Sequence, residues 1–200
     1  MLKVGLTGGI ASGKSFVGQA LVDLGCQLIK ADEIGHQALA RRGDAFGAVV
    51  AEFGPGILAP DGSIDRQRLA DEVFSRPERL AALTRLVHPP VIRRENELTA
   101  EIAARQPDAI VVVEAAVMIE AGSHTRFDKL ILAVCTQEQQ VERAILRDRI
   151  TREEALARIG RQLPLEEKLK FADYVIDTSG DKAETLRQVR EVYHLLRSMA

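Results

Sequence analysis

The stretch GGIASGKS, residues 8–15, fits the pattern Gly-x-x-x-x-Gly-Lys-Ser/Thr. Its fixed positions are filled by Gly8, Gly13, Lys14 and Ser15. An apolar run at residues 2–7 precedes it and predicts a strand, and residues 14–24 predict a helix. Backbone N–H groups at a helix N-terminus bind phosphate oxygens, and glycine allows the close approach that such binding needs. The sequence therefore predicts a phosphate-binding loop between a strand and a helix.

The loop is expected to hold a nucleotide through both backbone and side-chain groups. In this pattern Lys14 reaches the β- and γ-phosphates, and the Ser15 hydroxyl ligates the magnesium ion that bridges them. We expect nucleotide contacts from Gly8, Gly9, Ala11, Ser12, Gly13, Lys14, Ser15 and Phe16. A phosphate loop fixes a nucleotide but does not specify a reaction.

Further apolar runs continue the alternation of strand and helix along the chain. They lie at residues 26–31, 109–113, 130–135 and 174–176. Runs that are apolar on both faces are typical of parallel strands covered by helices, so we predict an α/β fold with a five-stranded parallel sheet. Two segments differ, because residues 34–105 alternate turn signals with amphipathic helical stretches and residues 143–168 are rich in arginine. The predicted core is residues 1–33, 106–142 and 169–200.

Helix ends are also visible in the sequence. Pairs at capping spacing predict three helix starts, at Thr136 with Gln139, Thr151 with Glu154, and Asp181 with Glu184. Residues along one face of the last helix predict packing on the sheet: Leu186, Val189, Tyr193 and Leu196. Pro89 and Pro90 predict that a helix ends near His88 in an extended turn.

Composition excludes several classes of protein. The chain has 27 Lys and Arg against 29 Asp and Glu, a formal net charge of −2, which argues against a nucleic-acid coat or a binder of acidic membranes. Residues 130–135, the longest apolar run, are too few to cross a bilayer, and Gly8 and Gly9 interrupt any export signal. We expect a cytoplasmic protein with no obligate protein partner, whose Cys26 and Cys135 are unreactive core thiols.

Acidic residues follow two of the predicted strands. Asp32 follows the second strand, where a carboxylate can orient or deprotonate an acceptor hydroxyl and reach the metal, although a helix N-cap explains it equally well. Glu114 ends the third strand and Glu120 comes shortly after it. Either is a candidate second acid near the magnesium or the acceptor, and the other would then be a surface carboxylate.

The arginines of residues 143–168 are candidate phosphate ligands. Arg143 and Arg147 lie on one face of the predicted helix, and planar guanidinium groups suit phosphate oxygens. Acidic residues share the stretch, so a solvated, ion-paired face explains most of its arginines. Chemistry alone favours a structural role for His88, and no His or Cys spacing indicates a zinc site.

The order of these motifs resembles that of the bacterial dephospho-coenzyme A kinase family over nearly the whole chain. The matching stretches are LTGGIASGKS, DLG, KAD around Asp32, DGSIDRQRLA with Asp65 and Arg66, LVHPPV around His88, VEAAVMIE ending at Glu120, the pair Arg147 and Asp148, TREEALARI with Gln162, and ADYVID from Ala172.

The resemblance implies an enzyme that transfers the γ-phosphoryl group of ATP, with Mg²⁺, to the ribose 3′-hydroxyl of dephospho-coenzyme A, the last step of coenzyme A synthesis. It implies that Asp32 is the general base and a possible metal ligand. The other implied catalytic residues are Lys14, Arg143 and Arg147, and the implied substrate-binding residues are Asp32, Asp65, Arg66, His88 and Glu120. Residues 34–105 would bind the coenzyme, and residues 143–168 would form a lid.

The chain departs from the family pattern at two places. At the first, a common run of a proline, two leucines and a phenylalanine is replaced by Ala116, Val117, Met118 and Ile119. At the second, Thr178 replaces a frequent asparagine. Two other functions stay open: another small-metabolite or nucleoside kinase of this fold, and a GTP-dependent switch. The switch is disfavoured, because the short Asp-x-x-Gly pattern occurs three times by chance and no Asn-Lys-x-Asp guanine motif is present.

Overall fold

In a computed structural model that describes residues 1–74 and 76–200, the chain forms a five-stranded parallel sheet in the order β2-β3-β1-β4-β5. The strands are β1 (Leu2–Gly8), β2 (Gln27–Lys30), β3 (Ile110–Glu114), β4 (Lys129–Val134) and β5 (Tyr174–Asp177). The predicted α/β fold with a parallel sheet is therefore confirmed. Each strand falls within two residues of its predicted apolar run.

Helices connect the strands. They are α1 (Lys14–Asp23), α2 (Ala31–Ala38), α3 (Phe46–Phe53), α4 (Arg66–Phe74), α5 (Pro77–Arg105), α6 (Gln137–Asp148), α7 (Arg152–Ile159), α8 (Leu165–Leu169) and α9 (Lys182–Arg197), with short 3-10 helices at Pro55–Ile57 and Ser123–Arg126.

The sheet register brings several strand ends to one edge. Leu6 of β1 pairs with Glu114 at the end of β3, which also pairs with Lys30 at the end of β2. On the other side of β1, Gly8 pairs with Ala133 of β4. The loop that follows β1 therefore begins at the carboxyl edge of the sheet, where open α/β folds bind their ligands.

The chain folds into two compact units, Met1–Lys30 with Glu101–Ala200, and Ala31–Ala100. In the first unit, α1 and α9 pack on the sheet through an apolar core that includes Val17 and Leu21. Val189 and Leu196 are buried in the same core, and Leu186 and Tyr193 pack against it, so the predicted inner face of α9 is confirmed. In the second unit, residues of α3 and α4 form a separate apolar core.

The predicted helix caps are present. The Thr136 and Thr151 hydroxyls accept hydrogen bonds from the backbone N–H groups of Gln139 and Glu154, whose side chains bond back to the cap residues. The Asp181 carboxylate accepts from the backbone N–H of Glu184. These contacts satisfy N–H groups that a helix start leaves without an intrahelical partner.

The predicted break at the proline pair is wrong. Helix α5 continues from Pro77 to Arg105 through Pro89 and Pro90. Each proline removes one helical N–H donor and disfavours helix in the preceding residue, so local preference alone predicts an end here. The helix nevertheless has buried residues on both sides of the pair, at Ala82 before it and at Thr99 after it. Tertiary packing of this kind routinely overrides local preference.

Among the residues that the structure describes, no helix has both the length and the apolar character needed to cross a membrane.

Candidate nucleotide site

The loop from Gly8 to Ser15 connects β1 to α1 as the sequence predicts. Gly13 precedes α1 with a φ of 85°, in the left-handed region that disfavours residues with a side chain. A Cβ atom at Gly13 would lie 2.9 Å from the Oγ1 atom of Thr178, closer than real Cβ contacts allow. Glycine is therefore required at this position both by backbone conformation and by space.

The Lys14 ammonium lies within its own loop. Its Nζ atom donates to the Gly9 carbonyl at 2.8 Å and to the Gly8 carbonyl at 3.1 Å. The ammonium carries a positive charge, and the N-terminus of α1, which begins at Lys14, adds a partial positive charge. Both features favour an anion.

Ser15 and Glu114 form the clearest polar contact at the carboxyl edge of the sheet. The Ser15 hydroxyl donates to the Oε1 atom of Glu114 at 2.8 Å, and Glu114 is only 7% exposed. Its second oxygen, Oε2, is buried and makes no hydrogen bond to any residue that the structure describes. A buried carboxylate oxygen without a hydrogen bond destabilises the folded protein unless a cation or a hydrogen-bond donor lies beside it.

The structure separates the two acids that the sequence left as alternatives. Glu114 lies against the loop, whereas Glu120 forms an ion pair with the buried Lys168, with 2.8 Å between Oε1 and Nζ. The same Glu120 oxygen accepts from the Leu163 backbone N–H at 3.2 Å. These contacts give Glu120 a structural function next to α8, and its predicted contact with substrate stays a prediction.

Two glutamines hold the peptide groups of Ile10 within the loop. The Ile10 N–H donates to Gln162 Oε1 at 2.8 Å, and the Ile10 carbonyl accepts from Gln140 Nε2 at 2.9 Å. The apolar side of the loop packs on α6 and α7, where Ala11 is buried with Val141. The residues between α7 and α8 are thereby fixed to the phosphate loop. Sequence reasoning missed both glutamines as site residues, although Gln162 belongs to one of the motifs that carry the resemblance.

Arg143 lies next to the loop but is directed at Thr178. Its Nη1 and Nη2 atoms donate to the Thr178 hydroxyl at 3.0 Å and to the Thr178 carbonyl at 2.7 Å. A guanidinium group has five N–H donors, so up to three are left for a ligand. The residue lies in the middle of α6, so the predicted lid boundary at residue 143 falls inside a helix.

Arg147 is engaged elsewhere. Its Nε and Nη2 atoms donate to the two carboxylate oxygens of the neighbouring Asp148, at 2.7 and 3.0 Å. These hydrogen bonds lower the pKa of the Asp148 carboxyl below its usual value, and Arg158 adds to the effect. The sequence analysis explained most of these arginines as part of a solvated, ion-paired face. In this structure Arg147 has that kind of pairing.

Phe16 is the last residue of the predicted nucleotide-binding set. Phe16 lies in the first turn of α1, with the Lys182 ammonium 5.8 Å from its ring centroid.

Both cysteines are free thiols. Burial raises the pKa of Cys26 to about 11 and also raises the pKa of Cys135, so neither thiol is activated as a nucleophile.

Four of the predicted site residues belong to the unit Ala31–Ala100: Asp32, Asp65, Arg66 and His88. Asp32 is exposed and is the second residue of α2, so it lies within the first turn and does not precede the helix as an N-cap would. The Asp65 carboxylate accepts from the backbone N–H groups of Gln67 and Arg68, which makes it the cap of α4.

The two other predicted substrate residues of that unit differ in exposure. Arg66 is exposed at the start of α4. His88 is half-buried in α5, and this burial lowers its imidazole pKa, although the Glu95 carboxylate opposes the shift. His88 is therefore more readily neutral than an exposed histidine.

Comparison with known proteins gives consistent matches over the whole chain. A family model described as dephospho-CoA kinase matches residues 2–184. The dephospho-CoA kinase of Aquifex aeolicus is 38% identical, over 98% of this chain and 98% of its own length.

Solved structures agree with this match. A crystal structure of a protein from Thermus thermophilus has a TM-score of 0.82 and 32% identity, covering 100% of this chain and 98% of the other. The structure of the dephospho-CoA kinase from Campylobacter jejuni has a TM-score of 0.69 and 27% identity, with 98% of each chain covered.

Proposed function

This chain belongs to the dephospho-CoA kinase family, and we infer from that premise that it transfers the γ-phosphoryl group of ATP to dephospho-coenzyme A. The products are coenzyme A and ADP. The observation that carries this function is the phosphate loop, in which Lys14 and Ser15 lie at the N-terminus of α1 within a chain that matches the family from residue 2 to residue 184. No observation favours a different metabolite acceptor or a GTP-dependent switch.

We propose that the loop binds the triphosphate with its backbone N–H groups and with Lys14. The ammonium donates to two loop carbonyls at 2.8 and 3.1 Å, so it is held within the loop that would bind the triphosphate. Donors that are fixed before the reaction stabilise the charge of the transferring phosphoryl group without a cost of reorientation. Phosphoryl transfer depends mainly on such positioning and electrostatic stabilisation.

The residues around Ser15 fit a magnesium ion. Magnesium prefers oxygen ligands and is usually held by one or two carboxylates together with substrate phosphates. The Ser15 hydroxyl and the Glu114 carboxylate supply such oxygens, and the buried Oε2 atom of Glu114 is without a partner among the described residues. When bound, the ion would neutralise charge on the β- and γ-phosphates. We propose that Ser15 and Glu114 hold it, with Asp32 as a further candidate ligand.

Asp32 is the proposed general base. Its carboxylate is exposed, in the first turn of α2, two residues after β2 ends at Lys30. In the proposed step, the carboxylate takes the proton of the ribose 3′-hydroxyl as that oxygen forms a bond to the γ-phosphorus. The bond between the γ-phosphorus and the bridging oxygen of ADP breaks in the same step.

The structure supports the proposed roles of the remaining site residues to different degrees. Arg143 can still offer donors to a phosphate beside the loop, because Thr178 takes only two of them. Arg147 would have to leave Asp148 before it could stabilise transferred charge. Asp65, Arg66, His88 and Glu120 remain proposed substrate contacts, with residues 34–105 as the coenzyme-binding region and residues 143–168 as a lid. We propose that the enzyme acts in the cytoplasm.

Release of ADP from ATP and magnesium tests the function directly. Parallel reactions contain dephospho-coenzyme A, adenosine, AMP, shikimate or no acceptor. We expect stimulation by dephospho-coenzyme A alone, with coenzyme A as the product. Stimulation by another acceptor would keep the kinase fold but refute the substrate, and GTP hydrolysis without any acceptor would favour a switch.

Glu114→Gln is expected to raise the Mg²⁺ concentration for half-maximal activity by about tenfold, a typical loss when a carboxylate near a metal is replaced. The amide keeps an oxygen that can accept from Ser15 but loses the negative charge that attracts the ion. The measurement is a magnesium titration of both ADP release and ATP binding. Glu138→Gln is the matched control, because that surface carboxylate on α6 pairs with Arg152. Unchanged magnesium dependence in Glu114→Gln would show that this carboxylate does not serve the metal.

A further inference from the structure

Thr178 makes an unusual set of contacts for a threonine just after a strand. It follows β5, is only 6% exposed, and its backbone N–H donates to the Val134 carbonyl at 2.8 Å. Its hydroxyl lies 2.9 Å from the Ser12 carbonyl oxygen and 3.1 Å from that of Val134. The hydroxyl and the carbonyl of Thr178 also accept from Arg143.

A hydroxyl has one hydrogen and two lone pairs, so it can donate once and accept in the same arrangement. Arg143 can only donate, and the hydroxyl therefore accepts from it. The hydroxyl hydrogen is then left for an acceptor, and a carbonyl oxygen accepts more strongly than the Cys135 sulfur, which also lies within reach. The Ser12 oxygen is the better acceptor, because it is nearer than the Val134 oxygen, which already accepts from the Thr178 N–H.

The contact with Ser12 has a consequence for the phosphate loop. The Ser12 carbonyl and the Gly13 N–H belong to one planar, trans peptide group, so they point in opposite directions. A hydrogen bond that fixes the carbonyl toward Thr178 therefore fixes the Gly13 N–H away from Thr178. Gly13 also packs directly on this side chain, since an added Cβ would lie 2.9 to 3.1 Å from three of its atoms.

We propose that Thr178 is a positioning residue for the nucleotide: it orients the Ser12–Gly13 peptide of the phosphate loop and fixes the guanidinium of Arg143 beside it. The inference rests on the proposed function, because it assigns the oriented N–H and the guanidinium to the triphosphate. It also gives a role to one of the residues at which the chain departs from the family pattern. Neither role requires Thr178 to contact the nucleotide itself.

The test compares Thr178→Val, which removes the hydroxyl at nearly constant shape, with Thr178→Ser, which keeps it. We expect Thr178→Val to weaken ATP binding and to lower kcat/KM for ATP by about tenfold, the usual effect of losing a hydrogen bond to a charged group. Thr178→Ser should stay within about twofold of the wild type for both quantities. ATP affinity is measured by calorimetric titration, and kcat/KM by ADP release with dephospho-coenzyme A.

Thr185→Val is the matched control. The Thr185 hydroxyl is also buried, but it lies 3.2 Å from the Asp181 carbonyl oxygen and 3.4 Å from that of Asp177, and neither residue belongs to the phosphate loop. We expect this variant to keep ATP affinity and kcat/KM within about twofold even where its unfolding temperature falls. A second readout is the effect of Arg143→Met, which should be smaller in Thr178→Val than in the wild-type chain, because the two residues act through one contact.

The inference is overturned when Thr178→Val keeps wild-type ATP affinity and kcat/KM, or when Thr178→Ser loses as much as Thr178→Val. If Thr178→Val does not fold, Thr178→Ala and Thr178→Ser differ by the hydroxyl alone and decide the question in the same way. The proposed function fails separately, when the wild-type chain shows no ADP release that depends on dephospho-coenzyme A. The titration of ATP still tests Thr178 in that case.

Discussion

Lys14→Met is expected to lower kcat by a factor on the order of 10² to 10³, the range found when a fixed donor to the transition state is removed. Methionine keeps much of the length of lysine but carries neither the charge nor the N–H donors. In the structure the ammonium bonds to the Gly8 and Gly9 carbonyls, so its loss also removes two contacts that shape the loop. The measurement is steady-state ADP release with saturating ATP, magnesium and dephospho-coenzyme A.

The control for this variant is Lys170→Met, which removes an exposed ammonium that pairs with Glu167. Surface substitutions of this kind change stability and activity little. Far-ultraviolet circular dichroism and the unfolding temperature of Lys14→Met should match those of the wild type, because the side chain is not part of an apolar core. A Lys14→Met enzyme with wild-type kcat would remove this residue from the catalytic step.

The fold was predictable because its strongest signals are local. The strands of a parallel sheet are buried on both faces and appear as short apolar runs, as in β3 and β4. The loop pattern combines a strand end, two glycines and a helix start, all within a few residues of one another. The caps at Thr136 and Thr151 depend on a spacing of three residues, which the sequence displays directly. Such features need no knowledge of the tertiary structure.

The proline pair in α5 shows where local reasoning fails. Pro89 and Pro90 remove donors from the helix, and nothing in the neighbouring sequence indicates that the helix continues. The compensation comes from burial of residues on either side of the pair, which depends on the packing of the whole unit. The sequence shows that two prolines destabilise a helix at this point, but it does not show the burial that offsets this loss of stability.

The polar network around the phosphate loop could be predicted only in part. The spacing of Lys14 and Ser15 predicted their positions at the start of α1, but Glu114 and Glu120 were equivalent as sequence features. They are distinguished by register and by partner, since Glu114 pairs with Leu6 beside the loop and Glu120 pairs with Lys168. The contact of Thr178 with Ser12 joins residues 166 positions apart. No rule based on local spacing predicts a contact between residues so far apart in the sequence.

Asp32→Asn is expected to lower kcat by a factor on the order of 10² to 10⁴, the contribution of a general base, while ATP affinity changes little. The amide can still accept a hydrogen bond from the ribose hydroxyl but cannot take its proton at neutral pH. The proposed loop contacts with the triphosphate come from residues 8–16, so this substitution leaves them in place. Separate measurements of kcat and of the dissociation constant for ATP distinguish a lost base from a lost binding residue.

Glu33→Gln is the closest control, because Glu33 is the next residue in the same first turn of α2 and is also exposed. Both substitutions remove one negative charge from the N-terminal turn of the helix, where an acid favours helix stability, so they share any effect of that kind. Only Asp32→Asn should lose kcat, because the proton transfer needs a carboxylate at that one position. Equal losses in the two variants would assign the effect to the charge of the turn, and an unaltered kcat in Asp32→Asn would require a different base.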